Sequence, residues 1–431
     1  MIRVLCLVAV LVLAGAAPAA AHNVTAGADL RIAQTIAGTE LTVVIKGTAR
    51  VPGPLRIGVV AYQPVTGLPV GLEVRSVADG RTVKGVARTA RDPQYAQLRV
   101  EETGPHELTL RAGNEVAVVP FRVLVERGPA GEFLIYGGLF VAALLLVGGL
   151  LTGALSRPGP AMLLAGGAAV GVTVAVLVIV FEPMLPAGPP DGAAPAAGTQ
   201  TAGTQAGGTQ TGGRPFAQGR VATVPARPVA GEVFTLRIDL ADGSTGRPVD
   251  DLIAHHEALA HVIVTSEDGR YFRHVHPLRT APGRLEVRLR ADRPGRYLAH
   301  AELEREDSGG QLVTGAFAVG GDPVAPEPAG EPGSPVLRPA VPVAGRPTTI
   351  ELGTSGAVRP WLGMTGHLIL RSQDGGFLGH VHEMGPAGPR LRFTFSFPEA
   401  GRYLAWAQYA VADRIVTVPF TVEVKSAETR Q

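Results

Sequence analysis

Six histidines stand in two identical frames. His261, His274 and His276 form H-x12-H-x-H, and His367, His380 and His382 repeat it 106 residues later. The same offset carries Asp268-Gly269 onto Asp374-Gly375, and Gly295-Arg296-Tyr297-Leu298-Ala299 onto Gly401-Arg402-Tyr403-Leu404-Ala405. Imidazole is a metal ligand when neutral, and three on one surface can hold a copper or zinc ion. The sole cysteine, Cys6, sits in an N-terminal apolar run, so soft-metal ligands in the rest of the chain are His or Met.

Strands and turns must position these rings. Ala260–Ser266 and Tyr271–His276 read as strands joined at Glu267-Asp268-Gly269-Arg270. Asp-Gly signals a two-residue hairpin loop with positive φ at both positions. Counting back from that loop puts His261 opposite His276, with His274 on the same face. Asp374-Gly375 does the same for His367 and His382. A one-residue bulge would undo the convergence. Further ligand candidates are His300 in the first repeat, whose counterpart is Trp406, and Met364 and Met384 in the second. Thioether favours copper(I), so the two sites should differ. A separate candidate is His22, an amine–imidazole arm if cleavage follows Ala21, completed by His106. The HExxxH run His256–His261 has three residues between Glu257 and His261, not the two of a zincin helix.

Residues 1–21 read as a secretory signal, with Arg3, an apolar core and a small-residue cleavage site. Residues 22–128 read as an extracytoplasmic β-sandwich. The apolar runs 133–155 and 161–181 are each long enough to cross a membrane. They carry no charged residue, which favours an anchor over a transport path. The loop 156–160 holds only Arg157 and is expected inside, leaving both large regions outside the cytoplasm. Gly149-x-x-x-Gly153 and Gly167-x-x-x-Gly171 would let the spans pack closely. Residues 186–218 are a Gly-Thr-Gln-rich flexible linker. Residues 219–320 and 336–425 are the His-rich repeats, separated by the Pro-rich stretch 322–335. The expected fold class is all-β: three immunoglobulin-like β-sandwich domains of about a hundred residues each, plus a two-helix transmembrane hairpin.

The segments Ala-His261-Val-Ile-Val-Thr-Ser-Glu-Asp-Gly, His274-Val-His276-Pro, Gly-His367-Leu-Ile-Leu and His380-Val-His382 resemble the "GHLVIVSED…HVHP" hairpin of secreted bacterial β-sandwich proteins. Asp242–Val249 and the final strands are similar to YtkA-like/FixH-like immunoglobulin-type domains. This resemblance covers about 220–320 and 336–425, and implies copper or heavy-metal handling at a bacterial cell envelope. The N-terminal region resembles CopC-type domains only in its terminal His. Repeat 2 departs from the pattern by lacking Pro after His382.

Net charge is +2, with 39 basic and 37 acidic residues, so nucleic acid is not an expected partner. No nucleophile–base pair, phosphate loop or carboxylate pair indicates an enzyme. The expected function is a membrane-anchored extracytoplasmic protein that binds copper, or zinc, and buffers it or delivers it to a metal-transport partner. The rivals are an adhesion or assembly scaffold with structural histidines, and a three-His metalloenzyme with an open coordination position.

Overall fold

The computed structural model describes residues 23–36, 38–63, 67–125, 130–181, 216–306, 308–325, 333–383, 385–412 and 414–427. The signal segment 1–21, His22, Met384, residues 186–215 of the flexible linker and 326–332 of the Pro-rich stretch lie outside them. The chain is mostly β, with two long apolar helices. The strands belong to one compact unit and the helices to another.

Helix α1 spans Ala130–Leu151 and α2 spans Pro158–Phe181. Both differ from the apolar runs in the sequence. The first stops short of residue 155 because Gly153 turns left-handed (φ 67°) into a 3-10 turn at Ala154–Ser156. The second starts earlier because Pro158 suits the first helical position, where an N–H is not needed. The closest helix approach is at Gly138 and Gly171, where a Cβ on either would sit 2.5 Å from the other's carbonyl oxygen. Gly149 and Gly167 face leucines instead.

Three apolar cores organise the strands. The first joins residues such as Ile32, Val43, Ile57, Val74 and Leu110 of the N-terminal sandwich. The second lies between Leu236, Ile238 and Val287 on one sheet and Val262, Val264 and Ala301 on the other. The third repeats that pattern with Ile350, Phe393, Leu368, Leu370 and Ala407. In both repeats a tyrosine hydroxyl donates to a backbone carbonyl four residues upstream, Tyr297 to Arg293 (2.8 Å) and Tyr403 to Glu399 (3.0 Å). Such ties recur in Greek-key sandwiches.

The His-bearing sheets share one layout. In the first repeat Ala260–Ser266 lies between Phe272–Val275 and Gly295–Arg305. In the second, Gly366–Ser372 lies between Leu378–Glu383 and Gly401–Val411. Successive side chains point to opposite faces. Even-numbered Val262 and Val264 enter their own core, while odd-numbered Ile263 packs with Ile369, Leu404 and Trp406 of the second repeat. Both faces of each central strand are therefore buried, and the two repeats dock sheet to sheet through their histidine faces.

Candidate metal centre

The expected register is present. His367 pairs directly with His382, and the ladder Val262–Val275, Ile263–His274 extends to put His261 level with His276. The turn is not the two-residue one. Gly269 N donates to Ser266 O (3.0 Å), Ser266 N bonds Tyr271 O (3.1 Å), and Gly269 is left-handed at φ 73°. Asp268 does not share that conformation. Its carboxylate instead accepts from Ser266 Oγ and Arg270 N (2.5 and 3.1 Å), making a four-residue connection. Four and two are both even, so the faces are unchanged.

His261 Nδ1 lies 3.1 Å from His274 Nε2 and 3.2 Å from His276 Nε2. The outer nitrogen of each ring is engaged. His261 Nε2 donates to His255 O (3.0 Å), His274 Nδ1 to Gln408 Oε1 (2.9 Å) and His276 Nδ1 to Glu40 Oε1 (2.5 Å). Gln408 is itself oriented, because its amide N–H donates to Thr417 Oγ1 (2.9 Å). Those outer bonds put a donor proton on the outer nitrogen of each ring. Burial, then neighbouring His276, holds the pKa of His261 and of His274 well below 6.5. Three inner ring nitrogens therefore converge, and a neutral ring offers a lone pair there to a cation. A tetrahedral ion with bonds of about 2.0–2.1 Å has ligand–ligand edges of about 3.3–3.4 Å.

The second triad repeats this with one difference. His367 Nδ1 lies 3.2 Å from His380 Nε2, while His367 Nε2 donates to Trp361 O (3.2 Å) and His380 Nδ1 to Glu302 Oε2 (2.7 Å). Within each triad one nitrogen per residue lies within 4.8 Å of the others. His382 Nε2 is buried and makes no hydrogen bond. Burial and then His380 push its pKa down to about 2. The first triad is fully buried, whereas His380 and His382 are part-exposed as residues.

The two triads are not separate. His261 and His380 ring centroids are 5.3 Å apart, His274 and His380 5.2 Å, and His274 and His367 5.8 Å. Around them the interface is reciprocal, as expected of a two-fold contact. Gly269 abuts Leu404 and Gly375 abuts Leu298, each so closely that a Cβ would sit 2.5 or 2.3 Å from the leucine. Trp406 stacks on Phe272 at 4.7 Å. The symmetry breaks at Arg371, counterpart of Thr265, which is buried and donates to Thr265 Oγ1, Ser266 O and Glu267 O (2.5, 3.0 and 2.7 Å).

The N-terminal sandwich closes one side. Thr35 exchanges hydrogen bonds with the His276 backbone (2.8 and 2.9 Å), Arg31 pairs with Glu257 (2.5 Å), and Tyr62 donates to Pro360 O (3.1 Å). Trp361 and Leu362 pack with Ala33, Val44 and Val60. His276 is 0% exposed as a result.

Other residues singled out in the sequence lie elsewhere. His300 sits on the interface face beside Ile263 and donates to Gly375 O (3.2 Å), outside the triad. It packs the opposing turn, as Trp406 does in the second repeat. Met364 forms a tight turn with Trp361 just ahead of His367. His106 is a core histidine, 3% exposed, bonded to Gly104 O (3.0 Å) and packed on Phe121. Glu40, Glu302 and Gln408 escaped the sequence reading because distance along the chain hid their contacts. His255 and His256 stood out in the sequence as histidines that the second repeat replaces with Trp361 and Leu362.

A family model described as "Domain of unknown function (DUF8832)" matches residues 217–321 and 342–426. Among curated proteins none matches the chain. Among solved structures, trypsin-activated alpha-2-macroglobulin from Escherichia coli is 8% identical with a TM-score of 0.19, covering 95% of this chain and 23% of that one. Invasin, a bacterial integrin-binding protein, is 10% identical with a TM-score of 0.17, covering 90% of this chain and 60% of that one. A two-domain fibronectin type III segment from chicken tenascin is 12% identical with a TM-score of 0.16, covering 49% and 99%. The chain thus spans less than two thirds of the first two, and these likenesses say nothing about function.

Proposed function

We propose that this chain is a membrane-anchored, extracytoplasmic metal-binding protein of a bacterial envelope that holds copper, with zinc as the competing ion, and buffers it or passes it to a partner protein. The observation that carries this reading is the set of outer hydrogen bonds on His261, His274 and His276, which turns three inner ring nitrogens toward one another. Metal-binding histidines characteristically have such oriented outer nitrogens. The donor set is nitrogen alone, and among divalent first-row ions copper(II) binds such sets most tightly. The resemblance to YtkA-like/FixH-like domains supports the same ion.

Two apolar helices, Leu134–Leu151 and Pro158–Phe181, fit a membrane anchor. The Glu40–His276 contact supports a reading in which the N-terminal sandwich and the repeats share one side of a membrane. Two crossings between them fit that reading. Binding without turnover is supported by the burial of all three histidines of the first triad.

The test is equilibrium dialysis of the full chain in detergent, stripped with chelator, against copper(II) and zinc(II) at equal concentration. One ion per triad, copper in excess over zinc, is expected. Zinc in excess would overturn the choice of ion, and retention of neither would overturn metal binding.

A further inference from the structure

Beyond the two triads, imidazoles form a file from the surface inward. His255 is the exposed end, with a side chain 52% accessible and bonded to Glu304 (2.8 Å). His256 follows at 3.9 Å between ring centroids, and His382 at 4.0 Å from His256. His380 and His367 lie 4.4 and 5.0 Å beyond His382, and His261 lies 5.3 Å beyond His380. Each ring is close enough to its neighbour for an ion to exchange one imidazole for the next.

The turn that carries His256 sets the first repeat apart. His256 and Glu257 occupy left-handed backbone (φ 46° and 62°) in a tight turn closed by His255 N–Ala258 O and Ala258 N–His255 O (2.9 and 3.0 Å). Leu362-Gly363 take the same conformation in the second repeat, so the turn belongs to the domain, and only the first repeat places imidazoles on it. Both turns pack against the N-terminal sandwich, through Ala258 and through Trp361 and Leu362. Among the described residues the first repeat's turn alone extends the cluster with histidines toward solvent.

We propose that His255 and His256 form an entry port, where a divalent cation lands and is handed through His382 to the buried triads. This rests on the metal-binding reading above. A port lowers the barrier in both directions, so it governs rates and leaves the final occupancy alone.

The chain supplies its own reporter. Its two tryptophans, Trp361 and Trp406, are both buried in this region, and Trp361 lies 4.8 Å from His367 and 5.5 Å from His274. Copper(II) uptake by the full chain in detergent would be followed by stopped-flow quenching of that fluorescence. Asn tolerates positive φ, so His256→Asn keeps the turn. It is expected to slow uptake and release by about tenfold or more, with equilibrium stoichiometry unchanged. His255→Gln, outside the strained pair, is expected to slow uptake less. Unaltered uptake in both variants overturns the port. Loss of a bound ion in His256→Asn overturns it too, by making His256 a resident ligand. A wild-type chain that binds no ion fails at the earlier step, since the metal-binding reading falls with it.

Discussion

Glu302 of the first repeat accepts a hydrogen bond from His380 of the second at 2.7 Å, and Gln408, its counterpart 106 residues on, accepts one from His274 at 2.9 Å. Each repeat thus orients a histidine of the other's triad. Neither site is complete in an isolated repeat, and docking of the sandwiches is part of building the centre.

Removing Glu302 should therefore weaken a site in the other repeat. Orienting partners of metal-bound histidines are worth about 10–100-fold in affinity. Glu302→Ala is expected to cost that much at the His367–His380–His382 triad while sparing the first. Glu302→Gln should cost less, because Gln408 already serves the first triad in that form. Competition titration with a chelating dye resolves the two sites. Equal weakening of both would contradict the assignment.

Glu40 acts across a longer reach, from the N-terminal sandwich to His276 (2.5 Å). Glu40→Ala leaves a buried imidazole N–H without an acceptor, at a cost of about 1–3 kcal/mol. The metal-free protein should melt at lower temperature, and affinity at the first triad should fall. An unchanged melting temperature would show that this contact contributes nothing.

Acid should destabilise the metal-free protein through six rings. His256, His261, His274, His300, His367 and His382 have folded pKa values depressed below 6.5, mainly by burial. The unfolded chain therefore takes up protons first as pH falls below about 6.5. Stability from these groups is whole above that pH and is lost as pH drops toward the folded values, about 2 for His382. Melting temperature against pH should be flat above about 7 and fall steadily below about 6.5. For the same reason protons compete weakly for the inner nitrogens of His261, His274, His367 and His382, and bound metal should persist at pH 5–6. Metal release near pH 6.5 would contradict these shifts.

The sequence spoke clearly about the hairpins and poorly about what surrounds them. Asp268-Gly269 set the correct faces through the wrong turn, because Asp268 used its carboxylate on Ser266 and Arg270 instead of adopting positive φ. Repeat docking had a signal that was read only as strand. Val262-Ile263-Val264 and Leu368-Ile369-Leu370 are unbroken apolar runs, which mean burial on both faces. His300 drew notice as a histidine in the Gly-x-Tyr strand, and it bonds the opposing turn at Gly375, a contact the sequence did not reveal. Glu40 and Glu302 could not be found by periodicity, since they lie 236 and 78 residues from the rings they hold.

Gly375 tests the interface directly. Its φ is +80°, and a Cβ would lie 2.3 Å from Leu298. Gly375→Val combines a strained backbone with a clash between repeats, a combination expected to cost about 2–4 kcal/mol. Thermal melting should show the loss, and affinity should fall at both triads together because their rings are shared across the interface. Full affinity in a destabilised variant would separate docking from binding.

The convergence of three imidazoles on one ion is most directly tested by X-ray absorption on the metal-loaded full chain. Its fine structure should show a nitrogen shell at about 2.0 Å with outer-shell scattering from about three imidazoles per ion. A shell dominated by sulfur, or by oxygen without imidazole scattering, would contradict it.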